Sequence, residues 1–357
     1  MKIDYAFIVH SRERNDIFRK YPFLKHIPIS VVDYLTENLK PIFVSKITGL
    51  IGINGESKLG IIIGIPMTAR QMLEKRSKAL KKIIQSVKLA KKHGAKIVAL
   101  GAMTSSLSGS GLHVINSVRD VVITNGRTYT ALNIVSYILY CIDYFKYDIK
   151  SIKIAIVGAA GGIGRGVTDL LIKEGIENLI LIDLERKIEN IRENYAKFNN
   201  NSKNQFSFRV DHRLESLREA KIVIAATSSP EIVIKSKDVE SGTIIINDAQ
   251  PSDVDPDILV NRDDVLVIEG GVVRTTSIKC HFDLGLHHEN DIYSCLAEAV
   301  LLAYSNTENE HFVELNENTA MKLKRCSKEL NLKISGFQNS LGYISSDFIN
   351  QFILKQK

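Results

Sequence analysis

The sequence predicts an α/β protein in which a Rossmann-like, doubly wound parallel sheet follows an N-terminal α/β substrate domain and precedes C-terminal helices. Three observations support this fold class. Short β-rich runs alternate with helical patterns along most of the 357 residues, and a glycine-rich turn follows an apolar strand near residue 158. Hydrophobic residues make up 45% of the chain, which is enough for two buried cores and excludes a disordered or fibrous protein.

The first 130 residues are predicted to form the substrate domain. Its strands are expected at residues 5–10, 42–47, 60–65 and 97–100. A long amphipathic helix is expected from Thr68 to His93, because apolar residues recur at helical spacing and Gly94 follows as a C-terminal cap. The face opposite the apolar one is basic; its residues include Lys75, Arg76, Lys78, Lys81, Lys82 and Lys88.

The polar loop at residues 101–111 follows the buried strand 97–100, where α/β proteins place ligand sites, and a second polar loop at residues 124–130 precedes an apolar helix. Residues 131–150 are predicted as a connecting helix. From residue 151 to 274 strands alternate regularly with helices, as in a parallel sheet covered on both faces. Its six strands are expected at 152–157, 179–183, 206–209, 222–226, 243–247 and 265–268. Residues 275–357 are predicted as a C-terminal helical segment, with helices at 292–304 and 318–330.

Charge, cysteine content and hydropathy exclude several classes of protein. Lys and Arg outnumber Asp and Glu by 47 to 40, so the net charge of +7 favours acidic partners. Binding of nucleic acid is not predicted, because the sequence has no basic stripe rich in aromatic residues. The four cysteines lie in no CxxC pair, which argues against a disulfide framework or a structural zinc site. The apolar run 131–145 is too short and too polar for an integral membrane segment, and no signal peptide is recognisable, so a cytoplasmic location is expected.

The sharpest local signal is the turn from Gly158 to Gly164, between a buried strand and a helix. Glycines allow a tight turn and a close approach of backbone N–H groups to a pyrophosphate, while the helix N-terminus favours negative charge. The GxxGxxG spacing varies the usual dinucleotide fingerprint, and an ordinary structural turn is the alternative. The pattern predicts an NAD(P)-binding Rossmann domain at residues 151–274, with the cofactor held by Gly158, Ala159, Ala160, Gly161, Gly162, Ile163 and Gly164.

The choice of cofactor depends on two residues after the second strand of this domain. Asp183 lies 25 residues past Gly158, near the offset at which a carboxylate accepts the ribose hydroxyls of NADH. Arg186 is three residues further on and can instead face the 2′-phosphate of NADPH. Both NADH and NADPH therefore remain candidates, and the alternative for Asp183 is a cap of the following helix.

Two more turns are expected beside the cofactor. Thr227 and Ser228 follow the fourth strand of the Rossmann domain, and Gly270 and Gly271 follow the sixth strand. Small residues at the carboxyl ends of these strands leave room for the nicotinamide ring. Ordinary βα turns are an equal alternative.

Cys295 lies near the start of an apolar helix, where the backbone dipoles favour a thiolate. Considered by itself, a cysteine in such a helix is more often a buried core residue. His287, His288 and Glu289 precede it, but two adjacent histidines point in different directions, so no metal site is predicted.

Several separated segments together resemble the long-chain acyl-[acyl-carrier-protein] reductases of the cyanobacterial type, which form fatty aldehydes. The resemblance covers roughly residues 40–305. The matching segments are Lys92–Gly94, Ala99–Gly101, Thr124–Ala131, Val157–Gly164, Gly270–Val273 and Cys295–Leu302.

The resemblance implies that Cys295 is the nucleophile that becomes acylated, and that NAD(P)H reduces the acyl-enzyme to an aldehyde. The implied acyl donor is an acyl-carrier protein or acyl-CoA. Both addition steps develop an oxyanion, which requires fixed hydrogen-bond donors. The polar loops offer four candidates for this catalytic role: Thr104, Ser105, Thr128 and Thr130.

The chain also departs from the family. Asp183 and Leu184 replace the Ala-Arg pair that holds NADPH, and Asn125, Arg127 and Tyr129 replace Thr, Asn and His. Two other functions therefore stay open. One is a shikimate- or amino-acid-dehydrogenase-like oxidoreductase without a covalent intermediate, although no convincing lysine–aspartate pair is present in the substrate domain. The other is a non-catalytic NAD(H)-sensing protein.

Overall fold

The computed structural model describes residues 3–11, 14–201, 206–229, 231–308 and 310–356. The chain divides into two compact units. Unit 1 contains Met1–Tyr129 and Val273–Lys333, and unit 2 contains Thr130–Val272 and Ile334–Lys357. The C-terminal segment predicted at 275–357 is thus shared between the two units.

Most strands are short and buried. They are Tyr5–Ser11 (β1), Ile42–Ile51 (β2), Ser57–Thr68 (β3), Ile97–Leu100 (β4), Val122–Thr124 (β5), Lys153–Val157 (β6), Asn178–Ile182 (β7), Ser207–Asp211 (β8), Ile222–Ala225 (β9), Ile244–Asn247 (β10), Leu266–Glu269 (β11), Val272–Arg274 (β12), Lys279–Cys280 (β13), Asp291–Tyr293 (β14), Lys333–Ile334 (β15), Gln338–Asn339 (β16) and Gly342–Tyr343 (β17).

The helices vary from five to eighteen residues. They are Arg14–Lys20 (α1), Ile29–Asn38 (α2), Ala69–Glu74 (α3), Arg76–Lys92 (α4), Met103–Leu107 (α5), Leu112–Ser117 (α6), Arg127–Tyr144 (α7), Gly162–Lys173 (α8), Ile188–Asn201 (α9), Pro256–Asn261 (α10), Ser294–Tyr304 (α11), Glu317–Glu329 (α12) and Ser346–Lys355 (α13). Short 3-10 helices cover Pro22–His26, Glu185–Lys187, Leu214–Glu219 and Ser236–Asp238.

Unit 1 is built on a mixed sheet with the order β13-β2-β3-β1-β4-β5. The four strands β3, β1, β4 and β5 are parallel, whereas β2 and β13 add antiparallel pairs at one edge. Strand β1 is buried on both faces, which explains its nearly continuous apolar sequence. The core on one face joins Ile61, Ile63 and Val98 of the sheet to Ile83 and Val87 of α4.

The basic amphipathic helix predicted at 68–93 is two helices in the structure. Thr68 caps α3 through a reciprocal pair of hydrogen bonds with Gln71, and Lys75 has non-helical backbone angles that separate α3 from α4. Lys82 is 6% exposed and donates hydrogen bonds to the carbonyl oxygens of Thr36, at 3.3 Å, and Leu39. The prediction that Lys82 belongs to the exposed basic face is therefore wrong, because this lysine satisfies the C-terminal carbonyls of α2.

Unit 2 contains a six-stranded parallel sheet with the order β11-β10-β9-β6-β7-β8. This order is that of a doubly wound Rossmann sheet, and the direction of winding reverses at β6, which pairs with both β7 and β9. All six predicted strands are present within one or two residues of their expected limits. The predicted fold class is confirmed.

Helix α11 begins at Ser294, because Asp291–Tyr293 forms β14 where the sequence pattern predicts helix. This boundary places Cys295 in the first turn of α11.

In the part of the chain that the structure describes, no helix is both long enough and apolar enough to cross a membrane.

Candidate functional site

The glycine turn of unit 2 joins β6 to α8. Gly158 has φ +88°, and a Cβ on this residue would lie 2.6 Å from the carbonyl oxygen of Ala226. A Cβ on Gly164 would lie 2.3 Å from the carbonyl oxygen of Gly158. Both positions therefore require glycine, and the result is a tight backbone cradle before the N-terminus of α8, as a bound pyrophosphate requires.

Asp183 lies against this cradle. Its carboxylate accepts hydrogen bonds from the backbone N–H groups of Ala160, at 2.9 Å, and Leu184, at 2.8 Å. Lys187 is 3.0 Å from the same carboxylate, while Arg186 is exposed. The structure thus brings Asp183 to the predicted cofactor turn, but the cation paired with it is Lys187, which sequence reasoning missed. A lysine four residues after the aspartate was the available signal.

The two turns expected beside the nicotinamide differ in their contacts. The side chain and backbone N–H of Thr227 both donate to Asp253, at 2.7 and 2.9 Å, whereas Ser228 is exposed. The carbonyl of Gly270 accepts from Asn133 at 2.8 Å, and a Cβ on Gly271 would lie 2.5 Å from a carboxylate oxygen of Asp248.

Sequence reasoning also missed a group of carboxyls at this edge of the sheet. Asp248 follows β10, and its pKa is raised well above the ordinary value by burial and by the nearby charges of Glu269 and Asp253. Asp248 directly follows β10 and Glu269 ends β11, which is the signal that could have found these two residues; Asp253 lies in the loop after β10.

In unit 1 the two predicted polar loops meet. Arg127 donates from Nη1 to the hydroxyl of Ser110 at 2.7 Å. Asn125 donates to the carbonyl oxygens of Ser110, at 3.2 Å, and Val313, at 2.7 Å. Loops 101–111 and 124–130 therefore form one surface at the carboxyl ends of β4 and β5. Burial lowers the pKa of Arg127.

Cys295 lies beside this surface, as the second residue of α11, and is half-buried. A Cβ on Gly126 would lie 2.3 Å from the Cβ of Cys295, and Gly126 has φ +73°. The loop backbone therefore contacts the cysteine so closely that only glycine fits. Backbone N–H groups of the first helical turn favour negative charge at this position.

The other three cysteines are poor nucleophiles. Burial raises the pKa of the Cys141 and Cys280 thiols to about 12, and it also raises the pKa of Cys326. A thiol with such a pKa carries almost no thiolate near neutral pH. Cys295 is thus the cysteine whose position combines partial exposure with a helix N-terminus.

Glu298 is one helical turn after Cys295 and is fully buried. Its carboxylate accepts hydrogen bonds from the Thr124 hydroxyl, from the N–H of Tyr129 at 2.7 Å, and from the N–H groups of Gly126 and Thr128. These backbone donors belong to the start of α7, so Glu298 caps α7 from another element. Burial raises the pKa of Glu298 to about 7, and the four donors oppose that rise.

The role of Glu298 was missed from the sequence. The signal was present, since Glu298 is a carboxylate inside the otherwise apolar helix Ser294–Tyr304. Its acceptor role holds the 124–130 loop, including Gly126, against the first turn of α11. Glu298 is therefore a positioning residue for the loop that contacts Cys295.

The four candidate oxyanion donors have different surroundings. The Thr104 hydroxyl donates to the carbonyl of Gly101 at 2.7 Å and so serves its own turn. The Ser105 hydroxyl is buried and has no hydrogen-bond partner among the described residues. Thr128 and Thr130 are both buried, and the N–H of Thr128 faces Glu298. Of the four hydroxyls, that of Ser105 best fits a donor whose partner is a ligand.

Comparison with known proteins finds a family model and curated relatives. The model for shikimate / quinate 5-dehydrogenase matches residues 142–269, which include the glycine turn and the sheet of unit 2. Aminotransferase PigE from Serratia is 26% identical over 273 residues, which are 76% of this chain but 31% of PigE. The chain thus spans about a third of the length of PigE.

Two further likenesses extend over most of the chain. The long-chain acyl-[acyl-carrier-protein] reductase of Synechococcus elongatus is 25% identical over 320 residues, with 85% of each chain covered. The shikimate 5-dehydrogenase of Listeria monocytogenes, solved with shikimate and NAD, is 9% identical, with a TM-score of 0.36 over 90% of this chain and 96% of that chain. This structural likeness is too low to carry an argument.

The cofactor is supported by two independent findings. The glycine cradle of unit 2 fits a pyrophosphate at a helix N-terminus, and the dehydrogenase family model covers the same residues. The prediction of NADH or NADPH is confirmed. Unit 2 thus contains an NAD(P)-binding Rossmann domain.

Proposed function

We propose that the chain reduces an acyl thioester to an aldehyde through a covalent acyl-enzyme on Cys295. The observation that carries the proposal is the position of this thiol in the first turn of α11, in contact with the Gly126 backbone. Gly126 belongs to a polar loop that Glu298 holds in place. Cysteine suits the reaction because it is both a good nucleophile and a good leaving group.

The reaction begins when the Cys295 thiolate attacks the thioester carbonyl carbon. The resulting oxyanion needs fixed donors, a role for which Ser105 and the N–H groups near the α11 N-terminus are available. The C–S bond to the donor then breaks, and the departing thiolate takes up a proton. NAD(P)H, when bound, supplies the hydride that converts the acyl-enzyme to a thiohemiacetal. Collapse of the thiohemiacetal releases the aldehyde and restores the Cys295 thiolate.

The proposed substrate is a fatty acyl thioester of acyl-carrier protein or CoA. The likeness to the Synechococcus reductase over 85% of both chains supports this substrate class. The exposed basic residues of α4 also fit an acidic carrier protein. These residues are Arg76, Lys81, Lys88, Lys91 and Lys92.

A second candidate is a dehydrogenase of the shikimate type that acts without a covalent intermediate. The match to the shikimate / quinate 5-dehydrogenase model favours this candidate, but the matched residues, 142–269, are the cofactor-binding part of the chain and do not include Cys295. In such a reaction Cys295 would serve only as a packing residue against Gly126.

Intact-mass analysis after incubation with acyl-carrier-protein and acyl-CoA thioesters of several chain lengths separates the candidates. We expect one acyl group on the wild type and on the matched control Cys326→Ser, and none on Cys295→Ser. Aldehyde formation with NAD(P)H should be lost in Cys295→Ser while cofactor binding persists, because serine lacks a thiolate. Normal turnover by Cys295→Ser, or acylation of another cysteine, would refute the proposal. Cofactor binding without any turnover would instead favour a sensor.

A further inference from the structure

A group of large apolar side chains is exposed near the N-terminus of unit 1. Tyr34 is 69% exposed, Phe23 is 63% exposed and Ile29 is 58% exposed. Single exposed apolar residues are ordinary, but a concentration within a stretch of about twenty residues indicates an interaction surface. We define the N-terminal apolar face by Phe23, Val31, Tyr34, Leu35 and Leu39.

The geometry of α2 separates this face from the core. Val32 and Thr36 are buried, whereas Val31, Tyr34 and Leu35 are exposed at i, i+3 and i+4, on the opposite side of the helix. The apolar outer side is therefore a property of a regular helix and not of an irregular loop.

Polar contacts fix α2 in this orientation. Asp33 accepts two hydrogen bonds from Arg14, at 2.7 and 2.9 Å, and Glu37 pairs with Lys75 at 2.5 Å. The buried Lys82 donates to the carbonyl groups at the C-terminal end of α2. Because the polar groups of α2 are bound to unit 1, the exposed side chains cannot turn inward without breaking these contacts.

The border of the face is positively charged. Lys25 and Lys40 are exposed, and neither forms an ion pair with a carboxylate among the described residues. The acidic residues of α2, Asp33 and Glu37, are neutralised by Arg14 and Lys75. An apolar centre with aromatic residues and a basic border complements the surface of a bilayer that carries negative lipids.

We infer that the N-terminal apolar face binds anionic membrane surfaces, with α2 lying in the interface and its outer side chains inserted below the headgroups. The apolar side chains provide insertion and the lysines provide attraction to the lipid phosphates. This binding is peripheral, and it does not depend on the proposed function.

The sequence offers a clean reporter, because the chain contains no tryptophan. In Tyr34→Trp the single indole reports on the apolar face, and in Tyr343→Trp it reports on a comparably exposed site in unit 2, where tyrosine is 51% exposed. Each full-length variant is mixed with vesicles of phosphatidylcholine and phosphatidylglycerol, or of phosphatidylcholine alone. Brominated acyl chains serve as the quencher.

We expect a blue shift and bromine quenching for Tyr34→Trp with the anionic vesicles, and neither for Tyr343→Trp. Binding to pure phosphatidylcholine should be at least about tenfold weaker, and added salt should reduce binding to anionic vesicles. In a vesicle flotation assay, Tyr34→Ser combined with Leu35→Ser should lower binding by at least about tenfold. Lys25→Glu combined with Lys40→Glu should weaken binding to the anionic vesicles alone. Circular dichroism verifies that each variant is folded.

Three results would overturn the inference. The first is the absence of any spectral change with vesicles. The second is a shift that grows with protein concentration without lipid, which would identify a surface between two copies of the chain. The third is a shift caused by an acidic carrier protein but not by vesicles, which would identify a protein-binding surface.

Discussion

Glu298→Gln tests the network that holds the 124–130 loop beside Cys295. The substitution keeps the size of the side chain but removes its ability to ionise. It also replaces one acceptor oxygen by an amide NH₂, so either the Thr124 hydroxyl or the Tyr129 N–H loses its acceptor. The effect of the substitution on stability should depend on pH, because the wild-type carboxyl titrates near neutrality.

The size of that dependence follows from the pKa. Burial raises the pKa of Glu298 from 4.5 to about 7, so the folded protein binds a proton there at pH values where the unfolded chain does not. Stability from this group is therefore fully present below about pH 4.5 and is lost as the pH rises through about 7. Between about pH 8 and about pH 5 the wild type should gain about 2 to 3 kcal/mol from Glu298. The glutamine variant gains nothing from this position.

Urea unfolding followed by far-UV circular dichroism at about pH 5 and about pH 8 measures the effect. Other titrating groups are common to both proteins and cancel in the difference between their unfolding free energies. We expect the stability advantage of the wild type over Glu298→Gln to be about 2 to 3 kcal/mol larger at the lower pH. An advantage that stays constant, or that grows toward high pH, would show that Glu298 remains ionised throughout and would refute the reasoning.

Three further predictions concern the two sites and the basic helix. Gly126→Ala should slow alkylation of Cys295 by iodoacetamide at least about tenfold, because the added Cβ would overlap the cysteine. Gly175→Ala controls for backbone strain, since Gly175 has φ +86° and nothing within 4 Å of an added Cβ. Equal alkylation rates in both variants would contradict the contact between Gly126 and Cys295. Asp183→Ala should raise kcat/KM for NADPH relative to NADH, since a repulsive carboxylate is removed, and a wild type that strongly prefers NADPH would contradict this. Raised salt should lower kcat/KM for acyl-carrier protein more than for acyl-CoA, because charges are screened beyond about 8 Å. Charge reversal of two exposed lysines of α4, by Lys81→Glu and Lys88→Glu, should have the same effect. Equal effects on both substrates would leave α4 without a docking role.

Local patterns were sufficient to predict the parallel sheet of unit 2 and its glycine turn. The strands β6, β7, β9, β10 and β11 are short apolar runs, and such a run reports burial from adjacent residues alone, whereas β8 alternates polar and apolar residues. The requirement for glycine is local at Gly164, whose Cβ would meet the carbonyl of Gly158, and in the positive φ of Gly158; the contact of Gly158 with Ala226 comes from the end of β9. The family resemblance drew attention to Cys295, which periodicity alone indicated as a core residue.

Contacts between distant parts of the chain could not be predicted in this way. Thr124 and Glu298 are 174 residues apart, so no periodic pattern links the loop to the carboxylate that caps it. Lys82 follows the basic pattern of its helix, yet it is turned inward because the carbonyl groups at the C-terminal end of α2 accept its hydrogen bonds. Lys187 rather than Arg186 pairs with Asp183 because the direction of the following helix decides which side chain reaches the turn.

The sequence by itself thus determined the fold class and the cofactor turn, because both depend on residues close together in the chain, and the family resemblance indicated which cysteine to consider. The tertiary structure alone decided what surrounds that cysteine: Gly126 in contact with it, and Glu298 holding the loop. It also decided that the outer side of α2 stays apolar and exposed. Hydrophobic periodicity reports which residues avoid water, whereas hydrogen-bond partners and uncovered faces depend on which elements the folded chain brings together.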